Sequence, residues 1–428
     1  MRISVTGAGY VGLVTAAALA SKGHNVIVID TDMTRVGMIN RKESPIFEEG
    51  LDDMLSGCIE SDRLRATGDY QEVLATDITL ICVGTPSNRD GGMNLSYIKE
   101  SAKATGSVLG AKTGHHTVVV RSTVVPGTTK EVVIPALEEH SGRKAHEDFD
   151  VAVNPEFLQE GRALRGFFGP DRIIIGEEKH RAGDTIKELY EGISAPVVRM
   201  GITTAEMVKF TSNAFLATKI SFINEIGNIC KKLGVDVYDV VRGVGIDYRI
   251  GEYFLNAGIG FGGSCLPKDL KALVHASRQM GYQPQLLESV LDVNKRQILN
   301  MFRMVEAKLG GLKGKTVCVL GLAFKPNTDD IRNAPALEVI RLLMEKGALV
   351  KAYDPLAMPN AKNVLSDEVE YCHGAKEAVS GCDCILVLTE WDEFKDESLY
   401  HEKVVFDARR VIDPGKARTF CDYQGICW

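Results

Sequence analysis

One stretch of the chain collects more chemistry than any other: Gly258-Ile259-Gly260-Phe261-Gly262-Gly263-Ser264-Cys265-Leu266-Pro267-Lys268-Asp269. Its glycines let backbone approach a ligand closely, and Pro267 suits the first turn of a helix. Cys265 then stands at a helix N-terminus with Lys268 nearby, and both features favour thiolate over thiol. The chemistry on offer is covalent, a nucleophilic sulfur that can hold a carbonyl carbon. Asp269, four residues on, shares the helical face of Cys265. The other cysteines read as small buried hydrophobes. Cys382 and Cys384, the only close pair, are expected on opposite faces of a strand, and no metal site is expected.

Two further groups match a covalent mechanism. Lys209 and Asn213 are four apart on one face of a helical stretch, with apolar neighbours such as Phe210 and Phe215. A lysine buried there serves proton transfer or a developing oxyanion; the plainer alternative is a lysine reaching out to solvent. Asn154-Pro155-Glu156-Phe157-Leu158-Gln159-Glu160-Gly161 follows the strand Val151 to Val153 and supplies two carboxylates at a strand end. Beside a nucleophilic cysteine, Glu156 suits a base that activates water; without one, a helix-capping role fits equally.

Near the start, Gly7-x-Gly9-x-x-Gly12 follows the apolar run Ile3 to Thr6 and opens a helix through Val14, Ala18 and Leu19; Asp30 ends the next apolar run. Gly7 allows the tight turn, Gly9 admits a pyrophosphate, Gly12 lets helix and strand pack, and the helix N-terminus faces the phosphate charge. A lone glycine motif of this kind is often only a turn, but strand, helix and acid together describe a dinucleotide site. Asp30 as acceptor for a ribose 2′-OH favours NAD over NADP, while Arg35 either offsets that acid or stacks on adenine. Cys82-Val83-Gly84-Thr85-Pro86 and Arg121-Ser122-Thr123-Val124-Val125-Pro126-Gly127 end two further strands, where open sheets bind ligands and where ordinary loops also have this composition.

The elements that position these residues follow an α/β rhythm. Strands are expected at Ile3 to Thr6, Val26 to Asp30, Ile78 to Val83, Thr117 to Arg121 and Ile173 to Ile175, alternating with helical patterns, hence a parallel sheet. From Thr203 to Leu233 runs one proline-free helical pattern in which Met207, Phe210, Ala214, Ala217, Phe222 and Ile226 recur at three- and four-residue spacing. After Gly310-Gly311-Leu312-Lys313-Gly314 the rhythm restarts with Thr316 to Leu320, Leu349 to Tyr353, Ile385 to Leu388 and Val404 to Phe406. The expected division is residues 1–198, 199–310 and 311–428.

The 428 residues, 45% apolar and 25% charged, describe a soluble globular protein of two or three domains. No apolar run approaches a membrane span, and the first residues enter a strand pattern with no leader signature, so a cytoplasmic protein is expected. A net charge of −7 without clustered Lys and Arg argues against a nucleic-acid partner. Ten scattered cysteines fit thiols in a reducing compartment.

Taken together, Gly7 to Gly12, Asn154 to Gly161, Asn213 to Lys219, Gly260 to Asp269 and Gly321-Leu322-Ala323-Phe324-Lys325-Pro326-Asn327-Thr328-Asp329-Asp330 resemble the UDP-glucose/GDP-mannose dehydrogenase family, from Arg2 to about Pro414. The resemblance implies an α/β fold of two Rossmann-like domains joined by a long central helix at a dimer interface. It also implies an NAD-dependent, four-electron oxidation of a nucleotide-sugar through a Cys265 thiohemiacetal and thioester. Lys209, Asn213, Asp269, Glu156 and Thr123 would assist Cys265. Gly7, Gly9, Tyr10, Val11, Gly12, Asp30, Arg35, Val83, Gly84, Thr85, Ser122, Thr123, Glu160, Lys268 and Arg332 would hold the cofactor. Sugar and nucleotide would be held by Glu156, Phe157, Leu158, Lys209, Asn213, Phe254, Leu255, Asn256, Ala257, Gly258, Phe261, Gly262, Phe324, Lys325 and Arg409, with Arg249 entering a partner subunit's site. Gly243 to Gly251, Tyr353-Asp354-Pro355 and Thr389-Glu390-Trp391 resemble UDP-glucose members, whereas Ser87, Leu266 and Gly425 to Trp428 resemble GDP-mannose members; the first set borders the sugar and carries more weight. Two other readings compete: a two-electron hydroxyacid dehydrogenase, which has no need of Cys265, and a catalytically silent NAD-binding scaffold, which has no need of the set Cys265, Lys209, Asn213 and Asp269.

Overall fold

A computed structural model describes residues 1–365 and 367–428. The chain forms two compact units, Met1–Ser212 and Asn213–Trp428, and the boundary falls inside one 32-residue helix, Ile202–Leu233, that joins them.

The first unit is built on eight strands, β1 (Arg2–Thr6), β2 (Asn25–Ile29), β3 (Leu64–Thr67), β4 (Ile78–Ile81), β5 (Thr117–Val120), β6 (Asp150–Val153), β7 (Ile173–Glu177) and β8 (Val197–Met200), in the order β3-β2-β1-β4-β5-β6-β7-β8. β4, β5 and β6 are buried along their whole length. That is why they read as unbroken apolar runs rather than alternating ones. The expected parallel sheet holds from β3 to β6, but β7 runs antiparallel to β6, with Val153 opposite Gly176. The reason lies in the connection: the segment 154–172 stays at the carboxyl edge of the sheet, with only the short helix Ala163–Phe168, so the next strand starts there and runs back. β3 and β8 escaped the periodicity reading because each spans only four residues and includes an arginine.

Helix α1 (Tyr10–Ser21) follows β1 through the Gly7 turn, where φ is 98° and the amide donates to the Ile29 carbonyl at 2.8 Å. A Cβ on Gly12 would stand 1.9 Å from the Gly7 oxygen, so only glycine lets α1 lie this close to the turn.

In the second unit, helices Leu266–Gln279 and Gln285–Leu309 precede a six-stranded, all-parallel sheet of β9 (Thr316–Leu320), β10 (Leu349–Tyr353), β11 (Glu370–Tyr371), β12 (Cys384–Val387), β13 (Val404–Asp407) and β14 (Asp422–Gly425). Its order is β11-β10-β9-β12-β13-β14. Cys382 lies before β12 rather than on it, and its thiol donates to the Val379 carbonyl at 3.0 Å, so the expected opposite-face pair does not occur; residues two apart on one strand would share a face. Among the described residues no helix is long and apolar enough to cross a membrane.

Candidate active site

In the first unit β1 leads into Gly7, β2 into Asp30, β4 into Val83-Gly84-Thr85, β5 into Ser122-Thr123 and β6 into Asn154–Glu160. Because β2, β1, β4, β5 and β6 are successive neighbours, these strand ends line one edge, and the winding reverses between β1 and β4. Open sheets take their ligands at such a reversal. No side chain caps α1, so the donors of its first turn and its dipole remain available to phosphate oxygens. A Cβ on Gly9 would meet no protein atom within 4 Å, which leaves open space before those donors.

Asp30, half-buried, accepts from the Ala8 amide at 2.5 Å and the Asp32 amide at 2.8 Å, which holds its carboxylate beside the Gly7 turn. Arg35, on α2 (Met33–Asn40), turns toward Asp32 at 3.5 Å. These residues fit a dinucleotide. Other expected cofactor residues are occupied with one another: the Thr85 hydroxyl donates to the Thr123 carbonyl at 2.8 Å and that of Ser122 to the Val83 carbonyl at 2.7 Å, so hydrogen bonds tie the two loops together.

Tyr10 introduces a residue that sequence reasoning missed. Its phenol donates to Glu48, whose carboxylate also accepts from the amides of Gly161 at 2.7 Å and Ala163 at 2.6 Å. Burial and this neighbouring carboxylate push the Tyr10 phenol above its ordinary range. Glu48 therefore ties the start of α1 to the loop carrying Glu156 and Glu160. Nothing in its local run, Phe47-Glu48-Glu49-Gly50, marks it out, because its partners lie 38, 113 and 115 residues away.

Glu156 is buried, and one of its oxygens accepts from the Leu158 amide at 2.6 Å while the other faces Lys209 Nζ at 3.1 Å. Lys209 is buried as well and does not reach out to solvent. Its ammonium lies 5.2 Å from the centre of the Phe157 ring, which Arg172 also covers at 4.1 Å. A buried ion pair of this kind costs about 3–5 kcal/mol if one partner is removed, because the other is left uncompensated.

In the second unit Cys265 is the residue that begins the helix Leu266–Gln279, with Pro267 in its first turn. It is exposed, with the Ser264 hydroxyl 3.4 Å from its sulfur. Negative charge on that sulfur is favoured by the helix N-terminus. Asp269 lies one turn on, its amide donating to the Cys265 carbonyl at 2.9 Å. The Asp269 carboxylate, almost wholly buried, accepts from Asn213 Nδ2 at 2.7 Å and from Lys268 Nζ at 2.6 Å. Cys82 makes the contrast: burial pushes its thiol up to about 12, an inert sulfur.

The glycines before Cys265 do permit close approach, but here the approach is to protein. A Cβ on Gly258 would stand 2.4 Å from the Ala408 oxygen, one on Gly262 2.4 Å from the Asn333 oxygen, and one on Gly263 2.8 Å from the Phe324 ring. Three asparagines absent from the sequence reading hold this loop: Asn224 accepts from the Gly258 amide at 2.7 Å, Asn294 bonds both the amide and the carbonyl of Phe261, and Asn333 donates to the Gly263 carbonyl at 3.1 Å. Leu255 and Ala257 put their side chains into the core, Asn256 is exposed, and Phe254 takes a left-handed φ of 64°. Arg409 donates to the Leu388 carbonyl at 3.1 Å and to that of Phe324 at 3.4 Å, while Lys325 lies 5.5 Å from the Phe324 ring centre. Arg332 bonds Asp330 at 2.9 and 3.0 Å, and the exposed Arg249 bonds Asp247 at 3.0 and 3.1 Å.

Comparison with known proteins matches residues 1–194, 203–296 and 318–414 to the NAD binding, central and UDP binding domains of the UDP-glucose/GDP-mannose dehydrogenase family. A UDP-glucose 6-dehydrogenase of Haloferax volcanii is 43% identical, with 100% of each chain covered. A GDP-mannose 6-dehydrogenase of Pseudomonas putida is 45% identical, again with 100% of each covered. A solved UDP-glucose dehydrogenase of Pyrobaculum islandicum is 43% identical and superposes with a TM-score of 0.95 over 100% of this chain and 98% of its own.

Proposed function

Because this chain belongs to the UDP-glucose/GDP-mannose dehydrogenase family, we propose that it oxidises the C6 alcohol of UDP-glucose to the carboxylate of UDP-glucuronate through a Cys265-bound intermediate. The observation that carries this reading is Cys265 at the start of a helix whose next turn presents Asp269 hydrogen-bonded to Asn213. A two-electron dehydrogenase has no use for that sulfur. Bound NAD supplies the oxidant, taking one hydride from C6 in each of two oxidations.

The chain's own residues do the rest. Cys265 Sγ adds to the C6 aldehyde to give a thiohemiacetal, and after the second oxidation the carbon–sulfur bond persists as a thioester. Water adds to that thioester, the carbon–sulfur bond breaks, and the carboxylate leaves with the thiol restored. Asn213 and Lys209 donate to the oxygen on which negative charge develops, and Thr123 supports that oxygen from its strand end. Asp269 passes protons through water, and Glu156 takes the proton of the attacking water. Glu160, Lys268 and Arg332 reach the cofactor, and the loops around Phe261, Phe324 and Arg409 hold sugar and nucleotide.

A second copy of the chain completes the unit, with residues 199–310 as its dimerisation segment and Arg249 crossing to the partner's site. Support for this comes from Phe215, Phe222 and Ile229, seven apart on the long helix and 62%, 57% and 52% exposed. Ten thiols, none in a disulfide, suit a reducing cytoplasm. GDP-mannose is the second reading, favoured by the 45% identity to the Pseudomonas putida enzyme.

Counting NADH released per sugar tests the reaction. Two per UDP-glucose is expected; one would make this a two-electron enzyme, and none with any nucleotide-sugar would overturn the reading. Faster turnover of GDP-mannose would move the assignment to the second substrate. Cys265→Ser is expected to abolish the uronate, and undiminished uronate would remove the covalent role.

A further inference from the structure

A cavity of about 270 Å³ lies in the first unit, between the Asn154–Gln159 loop and the segment from Arg162 to Ile173. Six charged side chains line it: Arg121, Arg162, Arg165 and Arg172 against Glu156 and Asp171. Glu156 is already committed to Lys209 and the Leu158 amide, and Asp171 is exposed. Four cationic side chains against two carboxylates leave the lining net cationic.

Arg121 decides what this cavity can hold. It is only 3% exposed. Its Nε donates to Thr15 Oγ1 at 3.1 Å, and its Nη1 donates to Asn154 Oδ1 at 2.5 Å and to the Tyr190 hydroxyl at 2.8 Å. Every one of those acceptors is neutral, and among the described residues nothing accepts from Nη2. A guanidinium stays charged at any working pH; the Glu156 carboxylate favours that charge from a distance, but it is itself paired with Lys209 and makes no hydrogen bond to Arg121. An acceptor for Nη2 that carries negative charge would complete the hydrogen-bond shell of this guanidinium, and Arg121 lines the cavity from which it can be reached. Arg162 and Arg165 are exposed and line the same cavity, so both stand where an incoming anion passes. At about 270 Å³ the cavity falls just below ordinary ligand pockets, which start at about 300 Å³, and so suits a compact ligand.

We infer that this cavity binds a compact oxyanion, a phosphate or the carboxylate of a small organic acid, which accepts from Arg121 Nη2 and is held by Arg162 and Arg165. Arg121 offers the anion one nitrogen, Nη2, while Arg162 and Arg165 can each present the two-nitrogen edge that guanidinium offers to planar or tetrahedral oxyanions. The three arginines that bear the ligand have no role in the dehydrogenase reading, although Glu156, Phe157 and Leu158, which that reading gives to the substrate, also line the cavity.

Calorimetric titration of the full chain tests it, with inorganic phosphate in one arm and succinate in the other, at constant ionic strength in chloride. Saturable binding in at least one arm is expected, weakened tenfold or more in the double variant Arg162→Ala/Arg165→Ala. The tighter arm identifies the source of the anion. Arg165→Glu, a reversal at an exposed position, is the second variant and is expected to weaken binding at least as much as removal of the charge. Absence of saturable binding in both arms up to concentrations on the order of 10 mM overturns the inference. So does an isotherm that neither variant changes, because the ion would then sit elsewhere.

Discussion

Gly7 and Gly321 occupy the same place in two sheets of the same winding. The first six strands of one unit and all six of the other follow the order third, second, first, fourth, fifth, sixth. Each glycine ends the first strand with φ near 97°, at 98° and 96°, and each donates its amide to the end of the second strand at 2.8 Å. An aspartate follows that second strand in both, Asp30 in one and Asp354 in the other. From there the units part. After Gly7 the helix starts at Tyr10, whereas after Gly321 the next helix starts only at Pro335, leaving a loop that carries Phe324, Lys325 and Arg332. Asp30 is half-buried with two amide donors; Asp354 is buried and accepts from the amides of Leu322, Ala323, Leu356 and Ala357 and from the Trp391 indole. One scaffold thus leaves a half-buried acid beside an uncapped helix start, and the other turns the same acid inward to brace a loop.

The largest expected effect separates those two acids. Asp354→Ala leaves five donors, four of them buried, without an acceptor and is expected to cost about 3–5 kcal/mol in denaturant unfolding, while Asp30→Ala costs about 1 kcal/mol or less. Equal losses would erase the contrast. Next comes the pair of glycines in the first turn. Gly12→Ala forces a Cβ onto the Gly7 carbonyl and is expected to destabilise the first unit by about 1–3 kcal/mol. Gly9→Ala meets no protein atom, so it is expected to melt with the parent yet bind NAD about tenfold more weakly by fluorescence titration, a loss of about 1.4 kcal/mol. Asp30→Ala is expected to weaken NAD to a similar degree.

A pH slope that a buried histidine gives the first unit offers a further contrast. His116 is buried against Thr79 Oγ1 at 2.8 Å and the Thr76 carbonyl at 3.2 Å, and burial holds its imidazole down at about 3. The unfolded chain titrates near ~6.5, so below that pH the unfolded state binds the extra proton. Stability from this group is complete above pH ~6.5 and is lost as pH falls toward 3, by at most about 1.4 kcal/mol per unit. His275, His373 and His401 of the second unit are not buried. His116→Asn is expected to flatten the acid slope of the first unit in unfolding curves taken from pH 7 to 4, and an unchanged slope would place the titrating group elsewhere.

Much of this was legible before any coordinates, for a physical reason. Strand runs such as Ile78–Ile81, the helix Ile202–Leu233, the Gly7-x-Gly9-x-x-Gly12 turn and the Cys265–Asp269 spacing are set by backbone preferences and burial periodicity acting over a few residues. Partners distant in sequence were not legible. Glu48 reaches Gly161, Asn294 reaches Phe261, and Asp354 collects donors from three loops only once strand order has brought them together. The same holds for β7, whose direction depends on where its connection ends rather than on its own Ile-Ile-Ile run. The sequence by itself determined which residues are suited to the chemistry, since a thiol at a helix start or an acid after a strand is a local fact. Only the tertiary structure decided which of two equivalent aspartates stays half-buried and which is turned inward, and which glycines face protein, because contact with a distant segment leaves no trace in the residue's own neighbourhood.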